Sequence, residues 1–438
     1  MHPAQAVVVG FAGAIAVGTA LLLLPFAKDG PGSAGFVEAL FTATSAVCVT
    51  GLTVVDTPVY WTVFGQVVIM LLIQLGGLGI MIFASLIGAI LARKMTVRSR
   101  LNTAAEAKSL GLDDVRGLVR RIVTISLAIE AVTFVFLFAR LLLGYGYDVG
   151  LAAWFALFHS VSAFNNAGFA LYSDNLMNFV ADPFICLPIC AAIILGGLGF
   201  PVLMQLRRQF GNRLHWSMNT NLVLSATLVL LAAGTVYITA IEWNNPSTLG
   251  GLDPWARVLA GFFHSVQTRT AGFNSVDIGA MHDETWLGMD VLMFIGGGPA
   301  GTAGGIKVTT FAVLFFIMVT ELRGEAAVNI FGKRLSRAVH RQAITVVLIA
   351  VAAVVSGTTL IMLLTGESLD HSLFETVSAF GTVGLSTGIT ASLSPPGQLV
   401  LVALMFLGRL GPLTLGSAIA LRDRRILYEL PKERPAIG

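Results

Sequence analysis

Charge is what this sequence has least of. Only 12% of its 438 residues are Asp, Glu, Lys or Arg, and 55% are hydrophobic. A soluble domain carries about 25% charge, so a water-soluble globule is excluded. Cysteine is scarce too. Cys48, Cys186 and Cys190 all lie in apolar stretches, and Cys186 and Cys190, four apart, fall on one helix face as small apolar residues. No metal-ligand spacing is present. The sequence has no HExxH and no Ser/His/Asp grouping within one span, so no catalytic residue is nominated and the chain reads as a non-enzyme. The first 26 residues lack the basic region and cleavage site of a signal peptide and read as a retained first span. No soluble domain is evident, no nucleotide-binding fold of the chain's own, and nothing that points to nucleic acid. Gly296-x-Gly298-x-x-Gly301 matches a dinucleotide fingerprint by letter, but it follows no strand and sits in a hydrophobic run.

What is present is apolar sequence in long runs. Stretches of 18 or more apolar residues recur along the chain, the length a membrane helix needs. They are far too long for barrel strands, and only helices or closed barrels satisfy their backbone in lipid. The fold class is therefore an all-α polytopic membrane protein. Within it one pattern occurs four times: Ala46–Leu52, Ala163–Phe169, Gln267–Phe273 and Ala379–Leu385 align on Gly51, Gly168, Gly272 and Gly384. A phenylalanine stands ten residues before each glycine: Phe41, Phe158, Phe262 and Phe374. A second glycine-rich site follows each: Gly76–Gly79, Gly196–Gly199, Gly296–Gly298 and Gly408–Gly411.

The spacing predicts four helix–pore-loop–helix units around one central pore. The first covers residues 1–92, with a cytoplasmic connector at 93–116. The second covers 117–213, the third 214–335 and the fourth 336–421, with a cytoplasmic tail at 422–438. Short apolar segments Phe36–Val47, Leu151–Phe164, Pro254–Thr268 and Ser372–Phe380 are too short to span and read as re-entrant half-helices. Inner spans are expected over Val59–Ala92, interrupted at Gly76–Gly79, and over Pro183–Leu206, Trp286–Thr320 and Gln398–Leu421. The third contains Gly296–Lys307, whose six glycines and one proline cannot stay helical. That stretch is expected to be a loop inside the membrane, tolerated where it is buried in protein or lines a cavity.

Segments Arg93–Arg121, Arg207–Arg213, Glu321–Arg341 and Arg422–Arg434 hold 21 of the 27 basic residues and 8 of the 24 acidic ones. By the positive-inside rule these segments and the C-terminus are cytoplasmic, and the four glycine stretches face outside. The physics of such units suits a cation. A dehydrated cation needs oxygens in place of water, and an extended, glycine-containing backbone aims carbonyls inward. Half-helices point their negative ends at the same place. Four chemistry-bearing side chains stand apart. Glu130, near mid-span, is expected to pair with a Ser, Thr or Arg of a neighbouring helix. Arg269, three residues before Gly272, is expected behind the pore, paired with a carboxylate such as Glu375 or Asp277. His159 and His264 are expected to be packing residues.

The motifs TSAVCVTGL at Thr44–Leu52, SAFNNAGF at Ser162–Phe169, QTRTAGFNSVD at Gln267–Asp277, GPAGTAGGIK at Gly298–Lys307 and SAFGTVGLSTGI at Ser378–Ile389 occur in this order. On them the chain resembles the Trk/Ktr/HKT superfamily of potassium transporters over essentially its whole length. It opens on the first pore unit without the extra hairpin of Trk-type subunits, so it resembles the Ktr-type membrane subunit. The resemblance implies a bacterial cytoplasmic-membrane potassium uptake pore. Its selectivity filter would be Val49, Thr50 and Gly51; Asn166, Ala167 and Gly168; Thr270, Ala271 and Gly272; and Thr382, Val383 and Gly384. Glycine at position 51 goes with potassium preference in that superfamily, serine with sodium. It further implies a gating loop containing Gly296, Gly297, Gly298, Gly301, Gly304, Gly305 and Lys307, with Lys307 and Arg409 as positive barriers near the pore axis. The implied partners are a second copy of the chain and a cytoplasmic RCK/KTN-type regulatory ring, KtrA-like, that binds ATP or ADP; the surroundings are membrane lipid. Potassium is the permeating ion, sodium an activator, no other metal is implied, and nucleotide is bound only on the partner. The rival readings are a sodium-selective relative and an ion-coupled secondary carrier.

Overall fold

The computed structural model describes residues 3–93, 115–212 and 215–411. The connector within 94–114 and the tail beyond 411 lie outside the described residues. Helix α1 (Pro3–Leu22) is followed by the short α2 (Phe36–Cys48), a single turn α3 (Thr57–Tyr60) and the long α4 (Val63–Arg93). The plan then repeats. The second set is α5 (Val115–Gly144), α6 (Val149–Phe164), α7 (Pro183–Leu198) and α8 (Phe200–Gln209). The third is α9 (Met218–Glu242), α10 (Pro254–Gln267), α11 (Asp283–Phe294) and α12 (Val308–Leu322). A small hairpin, β1 (Asn329–Ile330) with β2 (Lys333–Arg334), leads to α13 (Arg337–Thr365), α14 (Leu369–Gly381) and α15 (Pro395–Leu410).

Five of the described helices have a stretch long and apolar enough to cross a membrane: Gln5–Leu22, Val63–Ser85, Arg116–Gly144, Met218–Glu242 and Arg337–Thr365. The short helices α2, α6, α10 and α14 have 13, 16, 14 and 13 residues. At about 1.5 Å per residue they fall short of a hydrocarbon core of about 30 Å, so they end inside it. Each packs on the long helix that precedes it: α2 on α1, α6 on α5, α10 on α9 and α14 on α13. Each also packs on an inner helix of the neighbouring set: α6 on α4, α10 on α7, α14 on α11, and α2 on α15. The last pair closes the circle, so the four sets surround one axis.

Two inner helices differ from the sequence expectation. Helix α4 runs unbroken through Gly76–Gly79. With no proline there, intrahelical bonding is the best partner its backbone has in the membrane. The glycines serve close approach instead: a methyl on Gly76 would collide with the Val47 carbonyl, and one on Gly77 with the Asn165 side chain. The second inner segment, expected to be one span, bends by 100° between α7 and α8. Gly199 makes the break at φ +91°, and Pro201 in the first turn of α8 restarts the helix. The third inner segment is broken as expected, between Phe294 and Val308.

At the far end of α9 from the hairpin, Glu242 ties three segments together. Its carboxylate accepts from His282 N at 2.9 Å, Asn245 Nδ2 at 2.7 Å, Thr248 Oγ1 at 2.6 Å and Thr285 Oγ1 at 2.5 Å. Glu242→Ala removes the acceptor of four donors, three of them on the buried residues Asn245, Thr248 and Thr285. It should cost about 2–4 kcal/mol of stability, seen as a lower melting temperature in detergent.

Candidate functional site

The four glycine stretches leave the short helices in the same way. The residue two before each glycine turns left-handed: Val49 at φ 55°, Asn166 at 60°, Thr270 at 66° and Thr382 at 49°. The glycines follow at φ 92°, 69°, 81° and 96°. A chain that alternates these conformations lays successive carbonyls toward one side. The bend is pinned locally. Thr50 N, Ala167 N and Val383 N donate to the carbonyls of Ser45, Ser162 and Ser378, each at 2.8 Å. Gly51 N and Gly384 N donate to the hydroxyls of Ser45 and Ser378 at 3.0 and 3.1 Å.

The third stretch is one residue tighter. Gln267 takes the serine's place: its carbonyl accepts from Ala271 N at 3.0 Å and its Oε1 from Phe273 N at 3.1 Å. This shift corrects the phenylalanine register. Phe41, Phe158 and Phe374 are fully buried, and so is Phe263, whereas Phe262 is only partly buried. Counting back from the glycine selects Phe262; counting back four residues from Ser45, Ser162, Gln267 and Ser378 selects Phe41, Phe158, Phe263 and Phe374.

The glycines meet in a closed ring. A methyl on Gly51 would stand 3.0 Å from Gly168 Cα, one on Gly168 3.0 Å from Gly272 Cα, one on Gly272 3.0 Å from Gly384 Cα, and one on Gly384 3.1 Å from Gly51 Cα. Each would also strike the carbonyl just before the next glycine: those of Ala167, Ala271, Val383 and Thr50. Four backbone segments, each at the C-terminal end of a helix, thus approach one axis with no side chain between them. Such a ring offers carbonyl oxygens and the negative ends of four helix dipoles.

Next to the ring lies the loop of residues 295–307. Its root is zipped: Gly296 N donates to Ile306 O at 2.7 Å and Val308 N to Gly297 O at 2.9 Å. Its body is bonded to the broken second inner segment. Gly298 N donates to Gly197 O at 2.7 Å, Thr302 N to Gly196 O at 3.1 Å, and Phe200 N to Ala300 O at 3.1 Å. Its tip reaches the ring stretches. Thr302 Oγ1 lies 3.0 Å from the Asn166 side-chain amide, and a methyl on Gly304 would collide with Thr382 Oγ1. The buried Arg409 donates from Nη1 to Thr302 O and from Nη2 to Gly76 O at 3.0 Å. Lys307 Nζ donates to Ala303 O at 2.5 Å. The loop is thus held by the second and fourth sets, and through Arg409 it is linked to the first; its glycines let backbone meet backbone.

The TrkH family model, described as cation transport protein, matches residues 5–424. The chain belongs to this family. It is 41% identical to the Ktr system potassium uptake protein B of Vibrio alginolyticus, over 99% of this chain and 94% of that one. It is 34% identical to the potassium/sodium uptake protein NtpJ of Enterococcus hirae, over 100% of this chain and 98% of that one. The crystal structure of the potassium transporter TrkH from Vibrio parahaemolyticus superposes with a TM-score of 0.75 at 17% identity, covering 95% of this chain and 84% of that one. Membership of the TrkH family and the apolar helices make this a multi-pass membrane protein.

In this TrkH-family chain Asn165, three residues before Gly168, faces the first set. Asn165 Nδ2 donates to Gln74 Oε1 on α4 at 2.8 Å, and Gln74 Nε2 donates to Glu130 Oε1 at 3.0 Å. Glu130 is therefore paired, but with amides rather than the expected Ser, Thr or Arg. Arg269 sits behind the ring, as expected, beside the second inner segment, and lines a cavity there with Asn166, Gly197, Thr227 and Gly297. The expected carboxylate partner is wrong. Arg269 Nη2 reaches Thr227 Oγ1 at 3.3 Å and Gly296 O at 3.4 Å, and Nη1 has no partner. Glu375 is taken up by Ser386, Thr387 and Thr390, and Asp277 caps Gly279.

Proposed function

We propose that the chain is the ion-translocating subunit of a potassium uptake system, with the ring at Gly51, Gly168, Gly272 and Gly384 as its selectivity filter. The observation that carries this reading is the closed four-glycine ring at the ends of four half-helices. It supplies the backbone oxygens a dehydrated cation requires, with room for no side chain. The names of the relatives from Vibrio and Enterococcus, potassium uptake and potassium/sodium uptake, support a monovalent cation as cargo. Potassium enters down the electrochemical gradient, gaining about 2.3 kcal/mol per 100 mV of inside-negative potential. In this reading the loop side faces the cytoplasm and the half-helix entrances face outside, which the basic segments support through the positive-inside rule.

The loop of residues 295–307 is the gate in this reading, held under the filter by Arg409, which also puts a positive charge on the path. A cytoplasmic nucleotide-binding ring moves the loop, and two copies of the chain share that ring; the word "system" in the Vibrio relative's name fits further components. Sodium acts as an activator rather than as main cargo. A sodium-conducting variant of the same pore is the second reading, favoured by the name of the Enterococcus relative.

The test is flux in proteoliposomes holding the purified chain, with potassium or sodium as the only permeant cation. Potassium uptake at least about tenfold faster than sodium uptake is expected, a difference of about 1.4 kcal/mol in barrier. Equal rates favour the sodium reading. Saturable exchange that requires a second solute replaces the pore by a carrier. Growth of a potassium-uptake-deficient bacterium at low potassium, improved by co-expressing a Ktr-type regulatory subunit, tests the ring; rescue without it removes the ring.

A further inference from the structure

A second set of equivalent bonds holds the strands on the far side of the glycines, and it is present in three units of four. One residue after the buried phenylalanine of each short helix stand Thr42, His159, His264 and Glu375. His159 Nε2 accepts from Leu171 N at 3.3 Å, His264 Nε2 from Ser275 N at 3.4 Å, and Glu375 Oε1 from Thr387 N at 3.0 Å. Each donor is the third residue after its glycine. In the second unit His159 Nδ1 lies 2.7 Å from Phe155 O, which makes Nδ1 the protonated nitrogen and leaves Nε2 as acceptor. In the fourth, Glu375 also takes Ser386 Oγ and Thr390 Oγ1. In the first, Thr42 Oγ1 is buried and bonds nothing, and the equivalent amide, that of Val54, makes no such bond.

We propose that His159, His264 and Glu375 are positioning residues that set the outer width of the glycine ring, and that the first strand, which lacks the brace, is the compliant side of the ring. This rests on the ring being the filter. Each bond joins the half-helix to its own exit strand across the glycine, so the strand is fixed both before and after it. Without the brace the glycine carbonyls can drift outward, and the distance that separates potassium from sodium is lost. The first strand has only its lower attachment, so its geometry depends on contact with the Gly168 and Gly384 backbones.

The test measures the potassium-to-sodium permeability ratio from bi-ionic potentials of the full chain in lipid, alongside the amount of folded protein. His264→Leu and Glu375→Leu should each lower the ratio about three- to tenfold, the effect of one net hydrogen bond. His264→Gln and Glu375→Gln, which keep an acceptor within reach, should restore it. Thr42→Val, which removes a hydroxyl that bonds nothing, should leave it unchanged. His264→Asn, polar but too short to reach Ser275, covers the case in which leucine prevents folding and should behave like leucine. A ratio that stays constant while only the folded amount falls overturns the proposal, as does an equal effect of Thr42→Val. Gly51→Ser separates the two readings: if it shifts the ratio and the brace variants do not, the filter stands and the brace falls; if neither shifts it, the filter itself is misassigned.

Discussion

Gly51→Ser should reduce discrimination between potassium and sodium by about tenfold or more. Gly51 has φ +92°, a conformation that costs an L-residue about 1–2 kcal/mol. Its Cβ would also overlap the Ala167 carbonyl and stand 3.0 Å from Gly168 Cα. Neither neighbour is a flexible side chain, so relief must come from moving backbone. The ring passes that movement on, because each glycine packs on the next at the same separation. Two monovalent cations differ only in how closely oxygens must approach them, and a displaced carbonyl removes that difference first. A barrier change of about 1.4 kcal/mol suffices for tenfold. Gly51→Ala carries the same steric load without the extra oxygen, so any excess loss in the serine variant reports a sodium ligand supplied by the hydroxyl. Reversal potentials under bi-ionic conditions give the ratio directly. A ratio unchanged in both variants would remove the ring from selectivity.

Much of this site is written in the sequence because it is made of backbone. Left-handed turns and methyl-free contacts demand glycine, so Gly51, Gly168, Gly272 and Gly384 stand out wherever the chain is aligned on itself. The loop of residues 295–307 is visible for the same reason: six glycines and a proline forbid a helix. Where glycine has two possible uses, letters do not decide between them. Gly76–Gly79 stay helical and serve packing, while Gly199 breaks its helix by 100° to seat the loop. The Phe200-Pro201 pair after Gly199 was the available signal, since proline in a first turn marks a new helix. Side-chain partnerships are legible least. Glu130 meets two amides and Arg269 meets carbonyl and hydroxyl oxygens, because each partner comes from a segment distant in sequence. The brace at His159, His264 and Glu375 was hidden by its chemistry, as two imidazoles and a carboxylate share one task and no residue type. The one-residue contraction of the third unit hid it further, placing Phe262 where Phe263 belongs.

Removing residues 299–303 should raise potassium flux without any regulatory partner by about tenfold to a hundredfold. The deletion keeps every residue that bonds the root of the loop. Ile295 pairs with Ile306 in parallel, Gly296 N bonds Ile306 O and Val308 N bonds Gly297 O, and all of these residues lie outside 299–303. Joining Gly298 to Gly304 leaves five glycines, 296–298 and 304–305, to turn the chain, the residue type whose backbone is freest to do so. The excised segment holds Thr302, whose carbonyl takes Arg409 and whose hydroxyl meets Asn166, and Ala300, which bonds Phe200 N at the Gly199 break. A bond to a guanidinium is worth about 1.5–3 kcal/mol and each neutral one about 0.5–1.5 kcal/mol. If the loop is the gate proposed above and is closed by a few kcal/mol, losing these bonds together moves it into an open majority. Arg409→Gln is the companion variant. It frees the loop from the fourth inner helix and also removes the charge proposed to stand on the path, so it reports restraint and barrier together, whereas the deletion keeps the charge and reports the loop alone. Flux that rises in Arg409→Gln and not in the deletion assigns the barrier to the guanidinium. Flux that rises in the deletion, with the potassium-to-sodium ratio intact, assigns gating to the loop and leaves selectivity with the ring of glycines. No rise in either, with both proteins folded in the membrane, would mean that the resting chain is closed elsewhere.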